Sequence, residues 1–170
     1  MKMVVLERRT MKMIQKAIFK FYLRVFLVIG VFVWLDQVTK HWAIQNAFIP
    51  QVVIPQWLTF SLSHNSGSIW GIWQNASLVL ACMGIFVVVC MLYGVHSQAI
   101  SRFETFCLGI LLGGIIGNTI DRFRFGYVID FIDLRLGDYH WPCFNVADIG
   151  ISSVCVLFIV ISLSKFFIKK

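Results

Sequence analysis

Residues 103–133 read FETFCLGILLGGIIGNTIDRFRFGYVIDFID. From Phe103 to Ile120 the stretch is an apolar run close to the roughly 20 residues that carry a helix across the hydrocarbon core of a bilayer. Asp121, Arg122 and Arg124 end the run. Beyond Tyr127 the pattern becomes alternation, with Val128, Asp130, Ile132 and Leu134 on one side and Ile129, Phe131, Asp133 and Arg135 on the other. That is the period-two signature of a strand. The stretch reads in succession as a membrane helix, a charged rim and a surface strand.

The rest of the chain fits that frame. Its 170 residues are 59% hydrophobic and only 14% charged, with a mean hydropathy of +0.81, whereas a soluble domain carries about 25% charged residues. Apolar runs at Phe21–Leu35, Ser77–Val95 and Ile149–Ile168 complete a set of four spans. Runs this long and unalternating satisfy their backbone groups only as helices. Asp36, Lys40 and Trp42 occupy the place where the small residues of a signal-peptide cleavage site would stand, so the first span is expected to remain as an uncleaved helix. A second alternating segment, WLTFSLSH at residues 57–64, is another expected strand. The fold expected is an all-α membrane protein of four transmembrane helices with a small extracytoplasmic β-rich region. Residues 1–20 form a basic cytoplasmic segment, and residues 21–168 form a single membrane-embedded domain.

Basic residues set the orientation. Lys2, Arg8, Arg9, Lys12, Lys16, Lys20 and Arg24 precede the first span, Arg102 lies between the second and third, and Lys165, Lys169 and Lys170 follow the fourth. Residues 41–76 contain no Lys or Arg. Both termini are therefore expected in the cytoplasm and both long loops outside. The net charge of +7 reads as a topology signal and as attraction to anionic lipid, not as a nucleic-acid footprint, because the cations flank spans. Lys12, Lys16, Lys20 and Arg24 recur at every fourth position, a basic stripe on a helix leading into the first span. The five cysteines lack metal-ligand or disulfide spacing. Cys82, Cys90, Cys107 and Cys155 lie in spans as packing residues, and Cys143 lies in the outer loop. No metal and no cofactor are expected.

Of the eight Asp and Glu residues, Asp36, Asp121, Asp130, Asp133, Asp138 and Asp148 all fall at or beyond the outer ends of the spans. Ionisable groups near membrane depth are costly, so acids gathered at one level mark a functional site. Each also has a plainer reading. Asp36 and Lys40 are i,i+4 partners. Asn145 and Asp148 have the spacing of an N-cap and its acidic N3. Asp133 and Asp138 suit solvated loop acids. Asp130, between Ile129 and Phe131 without an adjacent cation, resists such a reading. Two carboxylates at a partly dry site can divide acid and base roles and hydrolyse an amide. The residues alone do not choose among the aspartates. A proton-coupled transporter or channel subunit using the acids as a relay, or a scaffold without chemistry, are the competing classes.

Four blocks in order, DQVTK at Asp36–Lys40, NSG at Asn65–Gly67, GGIIGNTIDR with GYVIDFI between Gly113 and Ile132, and PCFNVAD at Pro142–Asp148, resemble bacterial lipoprotein signal peptidase, signal peptidase II. The resemblance covers roughly residues 25–165. It implies a membrane-embedded aspartic endopeptidase of the bacterial inner membrane, acting at the extracytoplasmic face. Its substrates would be prolipoproteins carrying a diacylglyceryl-modified cysteine, cut just before that cysteine, and its working unit a monomer. The catalytic pair implied is Asp130 and Asp148, supported by Asp36, Lys40, Asn65, Gly67, Asn118, Asp121, Arg122 and Asn145. Ile69, in SIW, departs from the small residues usual there. Gly109, Gly113 and Gly117 repeat at four-residue spacing and suit close approach of another helix.

Overall fold

The computed structural model describes residues 2–67, 76–95, 100–137 and 139–168, with side chains from Arg8 onward. Four helices long and apolar enough to cross a membrane are present among them. They are α1 (Lys2–Asn46), α2 (Ser77–Gly94), α3 (Arg102–Phe125) and α4 (Val146–Ile168). α3 sits in the middle and packs against the other three. Its glycines explain the intimacy. A side chain at Gly109 would meet Val28 of α1, and one at Gly113 would meet Phe32, both at 3.0 Å or less. Gly117 lies directly against the Asp36 carboxylate. The four-residue repeat is thus the seam with α1, while Gly114 faces α4 and would meet the Ala147 carbonyl at 2.8 Å.

Those contacts fix helix directions. Positions 28, 32 and 36 of α1 meet 109, 113 and 117 of α3, so the two run parallel. α4 runs the other way, since Gly150 packs by Ile110 and Ala147 by Gly114. The start of α1 and the end of α4 therefore emerge at the same end of the bundle. Val25, Ile29, Leu108 and Leu112 form the buried cluster between α1 and α3.

At the opposite end lies an antiparallel sheet in the order β1-β2-β3-β4, built from β1 (Gln51–Ile54), β2 (Leu58–Asn65), β3 (Val128–Leu136) and β4 (Tyr139–His140). β2 and β3 are the two alternating segments of the sequence, paired with Ser63 opposite Asp130. Ala43, Ala47 and Phe131 seal the sheet onto the end of α1. The short flanking strands β1 and β4 were not expected.

α1 is longer than the apolar run Phe21–Leu35 that announced it. It continues unbroken through the basic segment on one side and past Asp36 and Lys40 to Asn46 on the other. Charge at Asp36 does not end the helix because that charge is paired inside the bundle. Ile69, His96, Asp138, Lys169 and Lys170 lie outside the described residues.

Candidate functional site

The sheet-side ends of α1 and α3 meet in a buried ionic knot. Lys40 is 1% exposed and Asp36 and Asp121 are fully buried. The ammonium lies 2.9 Å from Asp36 Oδ2 and 2.8 Å from Asp121 Oδ2, and it donates to Asn118 Oδ1 at 2.8 Å. Its three hydrogens thus have three acceptors, which a buried ammonium requires. Asp36 Oδ1 also accepts from the Ala147 N–H at 3.0 Å, satisfying an amide in the first turn of α4. Asp121 accepts from the Ile129 N–H at 3.2 Å, fixing the start of β3. The i,i+4 pair of the sequence is therefore real, and it ties α1 to α3, α4 and β3.

β3 delivers Asp130, 2% exposed, beneath the sheet. Its Oδ1 accepts from Asn145 Nδ2 at 2.7 Å and its Oδ2 from Asn65 Nδ2 at 3.1 Å. The Asn65 amide is itself oriented by the Gly67 N–H, 3.1 Å from its Oδ1. The first turn of α4 delivers Asp148, half-buried. Asn118 Nδ2 donates to its Oδ1 at 2.8 Å. Asn145 and Asp148 exchange backbone-to-side-chain bonds at 3.2 and 3.0 Å, the capping box read from the sequence. Capping does not use up Asp148, because Asn118 holds the other oxygen at the level of Asp130.

Asn145, fully buried, is the hinge pin. Its side-chain amide serves Asp130 and also faces Asn118 Oδ1 at 3.1 Å, while its backbone N–H serves Asp148. Arg122 reaches over the site and donates to the Gly67 carbonyl at 3.2 Å, and its buried Nε has no partner among the described residues. Burial, with the charge of nearby Asp148 second, pushes the Asp130 carboxyl up to about 7, and the Asn65 and Asn145 donors only partly offset this. Cys143, in the loop beside it, is pushed up to about 12, first by burial and then by Asp130. Among the described residues no group of three or more His, Cys, Asp or Glu side chains could hold a metal ion.

All ten site residues named from the sequence therefore meet in one hydrogen-bonded network. Asp133 stands apart, paired with Arg135 at 3.0 Å and 3.4 Å from His140. The sequence reading missed Gln37. Its amide donates to Asp121 Oδ1 at 2.9 Å and to the Gly117 carbonyl at 3.3 Å. The available signal was a polar side chain next to Asp36 at the same membrane level.

A multi-pass membrane protein with two amide-clamped carboxylates at one end of its bundle is the class that fold and site define. Residues 28–165 match the family model described as signal peptidase (SPase) II. The chain is 31% identical over 144 residues to the lipoprotein signal peptidase of Anaplasma phagocytophilum, covering 82% of this chain and 91% of that one. It is 34% identical over 140 residues to that of Clostridium tetani, covering 80% and 88%. Among solved structures, a bacterial membrane enzyme determined by the in meso method at 2.3 Å superimposes with a TM-score of 0.77 at 30% identity, covering 86% of this chain and 91% of that one. The chain belongs to the signal peptidase II family and is a membrane protease. That membership sets aside the transporter and scaffold readings.

Proposed function

We propose that this protease removes signal peptides from bacterial prolipoproteins by aspartic catalysis at Asp130 and Asp148, cutting just before a lipid-modified cysteine. The observation that carries the mechanism is the shared clamp. Asn145 serves both carboxylates, and Asn65 and Asn118 each hold one of them. Asp130, whose carboxyl holds its proton to about 7, donates to the scissile carbonyl oxygen. Asp148 takes a proton from the attacking water, aided by its place at a helix N-terminus, and passes it to the departing amine nitrogen as the C–N bond breaks, while Asp130 recovers its proton from the hydroxyl of the collapsing intermediate. Arg122, which reaches over the site to the Gly67 carbonyl, is the cation placed to meet a substrate carbonyl. Asp36, Lys40, Asp121 and Gln37 hold the walls still. No metal or cofactor enters this mechanism. A single chain suffices, since every group named belongs to it.

In this reading the sheet end faces outward from the bacterial inner membrane, and the basic segment 1–20, with the other chain end, faces the cytoplasm. Support comes from the lysines and arginines crowding the end opposite the sheet. A reporter fused within residues 45–56 should then register outside; a cytoplasmic signal there would reverse the orientation.

The deciding experiment incubates the purified protein with a lipid-modified precursor and with the same precursor unmodified, reading the new N-terminus by mass spectrometry. Cleavage before the modified cysteine, with the unmodified precursor left whole, is the expected result. Equal cleavage of both, or a cut elsewhere, would defeat the substrate assignment.

A further inference from the structure

Three side-chain amides clamp the two carboxylates, and each has its sense set by a partner that can only donate. The Gly67 N–H holds Asn65 Oδ1 at 3.1 Å, the Asp148 N–H holds Asn145 Oδ1 at 3.0 Å, and the Lys40 ammonium holds Asn118 Oδ1 at 2.8 Å. With its oxygen taken, each amide must point its NH2 the other way. Asn65 and Asn145 thus present theirs to Asp130, and Asn118 presents its own to Asp148 Oδ1 at 2.8 Å. Two of the three locks are neutral backbone groups. The third is a full charge, 1% exposed, and a hydrogen-bond chain that starts from a buried cation is polarised along its length.

We propose that Lys40 is a positioning residue for the reaction: through the Asn118 amide it marks Asp148 as the carboxyl that stays ionised, and so divides the base and acid roles between Asp148 and Asp130. Turned over, Asn118 would set its NH2 against an ammonium and its oxygen against a carboxylate. Both contacts repel, so a charged Lys40 leaves the amide one sense. The other charged and titratable groups around Asp148 do not make the choice. Asp36 of α1 and Asp121 of α3 are paired with Lys40 itself. Arg122 of α3 faces Asp130 of β3 as well as Asp148, and so does Cys143 in the loop before α4. The inference rests on the aspartic reading of the pair and adds the reason for its division of labour.

The test is kcat/KM against pH for cleavage of a lipid-modified precursor by the full chain. Loss of activity toward low pH reports the base gaining its proton. Asn118→Leu removes the donor and leaves every charge in place, and that acidic limb should move up by about one pH unit. Lys40→Met/Asp121→Asn removes one charge of each sign and frees the amide to turn. It should move the limb the same way, and joined with Asn118→Leu it should add nothing further. A merely structural Asn118 would lower kcat/KM by one factor at every pH, and that result would overturn the proposal. So would additive shifts, since Lys40 would then act without the amide. The infrared difference between the unsubstituted protein and Asp148→Asn at neutral pH leaves Lys40 and Asn118 untouched. The band lost should be that of an ionised carboxylate; loss of a protonated carboxyl band would overturn the proposal even if the Lys40 variants fail to fold. Full-rate cleavage by Asp148→Asn is a different failure, which removes the aspartic reading and this inference with it.

Discussion

Asn145 and Asp130 lie fifteen positions apart and are joined by a 2.7 Å hydrogen bond from amide to carboxylate. The same asparagine holds Asp148 through its backbone. One residue at the threshold of α4 thus sets the relative position of a strand carboxylate and a helix carboxylate. Its amide cannot turn freely, because Asn118 Oδ1 and the Ile129 carbonyl flank it at 3.1 and 3.3 Å. Geometry of this kind keeps two carboxyl groups together with only one of them ionised.

That asymmetry gives a pH signature. Asp130 is raised from 3.8 to about 7, first by burial and then by Asp148. A group raised in the folded state binds its proton more tightly there than in the unfolded chain. Its contribution to stability is therefore fully present below the ordinary carboxylate range and is lost as pH rises through about 7. The thermal midpoint in detergent should fall between about pH 4 and 7 and level off above that, and Asp130→Asn should flatten that slope. As pH rises through about 7, kcat/KM should decline with loss of one proton. An activity profile level to about pH 9 would show that the Asp130 proton is not required.

Gly117 is fixed by contact, because any side chain there would collide with the Asp36 carboxylate. Gly117→Ala must move Asp36, loosening both the Lys40 pair and the bond to the Ala147 amide. The expected cost is about 1–3 kcal/mol, visible as a lowered thermal midpoint. Gly30 in α1 has nothing within 4 Å of where its Cβ would stand. Gly30→Ala should leave stability unchanged or raise it by up to about 1 kcal/mol. If both substitutions behaved alike, the close approach at Gly117 would not be what that glycine is for.

Cys143 offers a contrast in chemistry beside the same site. Its thiol, pushed up to about 12, stays protonated at neutral pH, and the thiolate is the reactive form. Alkylating reagents should label it far more slowly than a free thiol, and brief treatment should leave cleavage intact. Rapid labelling near pH 7 with prompt loss of activity would contradict this burial.

Fold and site were legible to different depths. The four spans announce themselves by length and composition, and β2 and β3 by alternation, because those signals are local. β1 is four residues flanked by Pro50 and Pro55, too short for a pattern to emerge. It exists because β2 offers it an edge. The apolar run Phe21–Leu35 understates α1 because Asp36 and Lys40 look like the rim of a span when their buried partner, Asp121, is out of view. Motif resemblance supplied the ten site residues, but not Gln37, whose partners lie 80 and 84 positions away on α3. Long-range pairing of this sort leaves no trace in spacing.

The pair Asp130 and Asp148 can be separated from the capping role of Asp148 by substitutions that keep shape. Asp130→Asn and Asp148→Asn preserve size and most hydrogen bonding but cannot transfer the proton, a function that contributes about 10²- to 10⁴-fold. Each should nearly abolish cleavage of a lipid-modified precursor. Because the two share one step, the double variant should be scarcely worse than either single. A purely capping Asp148 would behave otherwise. Asn is a competent N-terminal partner, so activity would survive with at most about 1 kcal/mol of stability lost. Asp133→Asn is the control, since Asp133 pairs with Arg135 and His140 outside the network, and it should retain most activity. Near wild-type cleavage by well-folded Asp130→Asn or Asp148→Asn would remove the pair from the mechanism and turn attention to Asp121 and Asp36, the remaining carboxylates of the network.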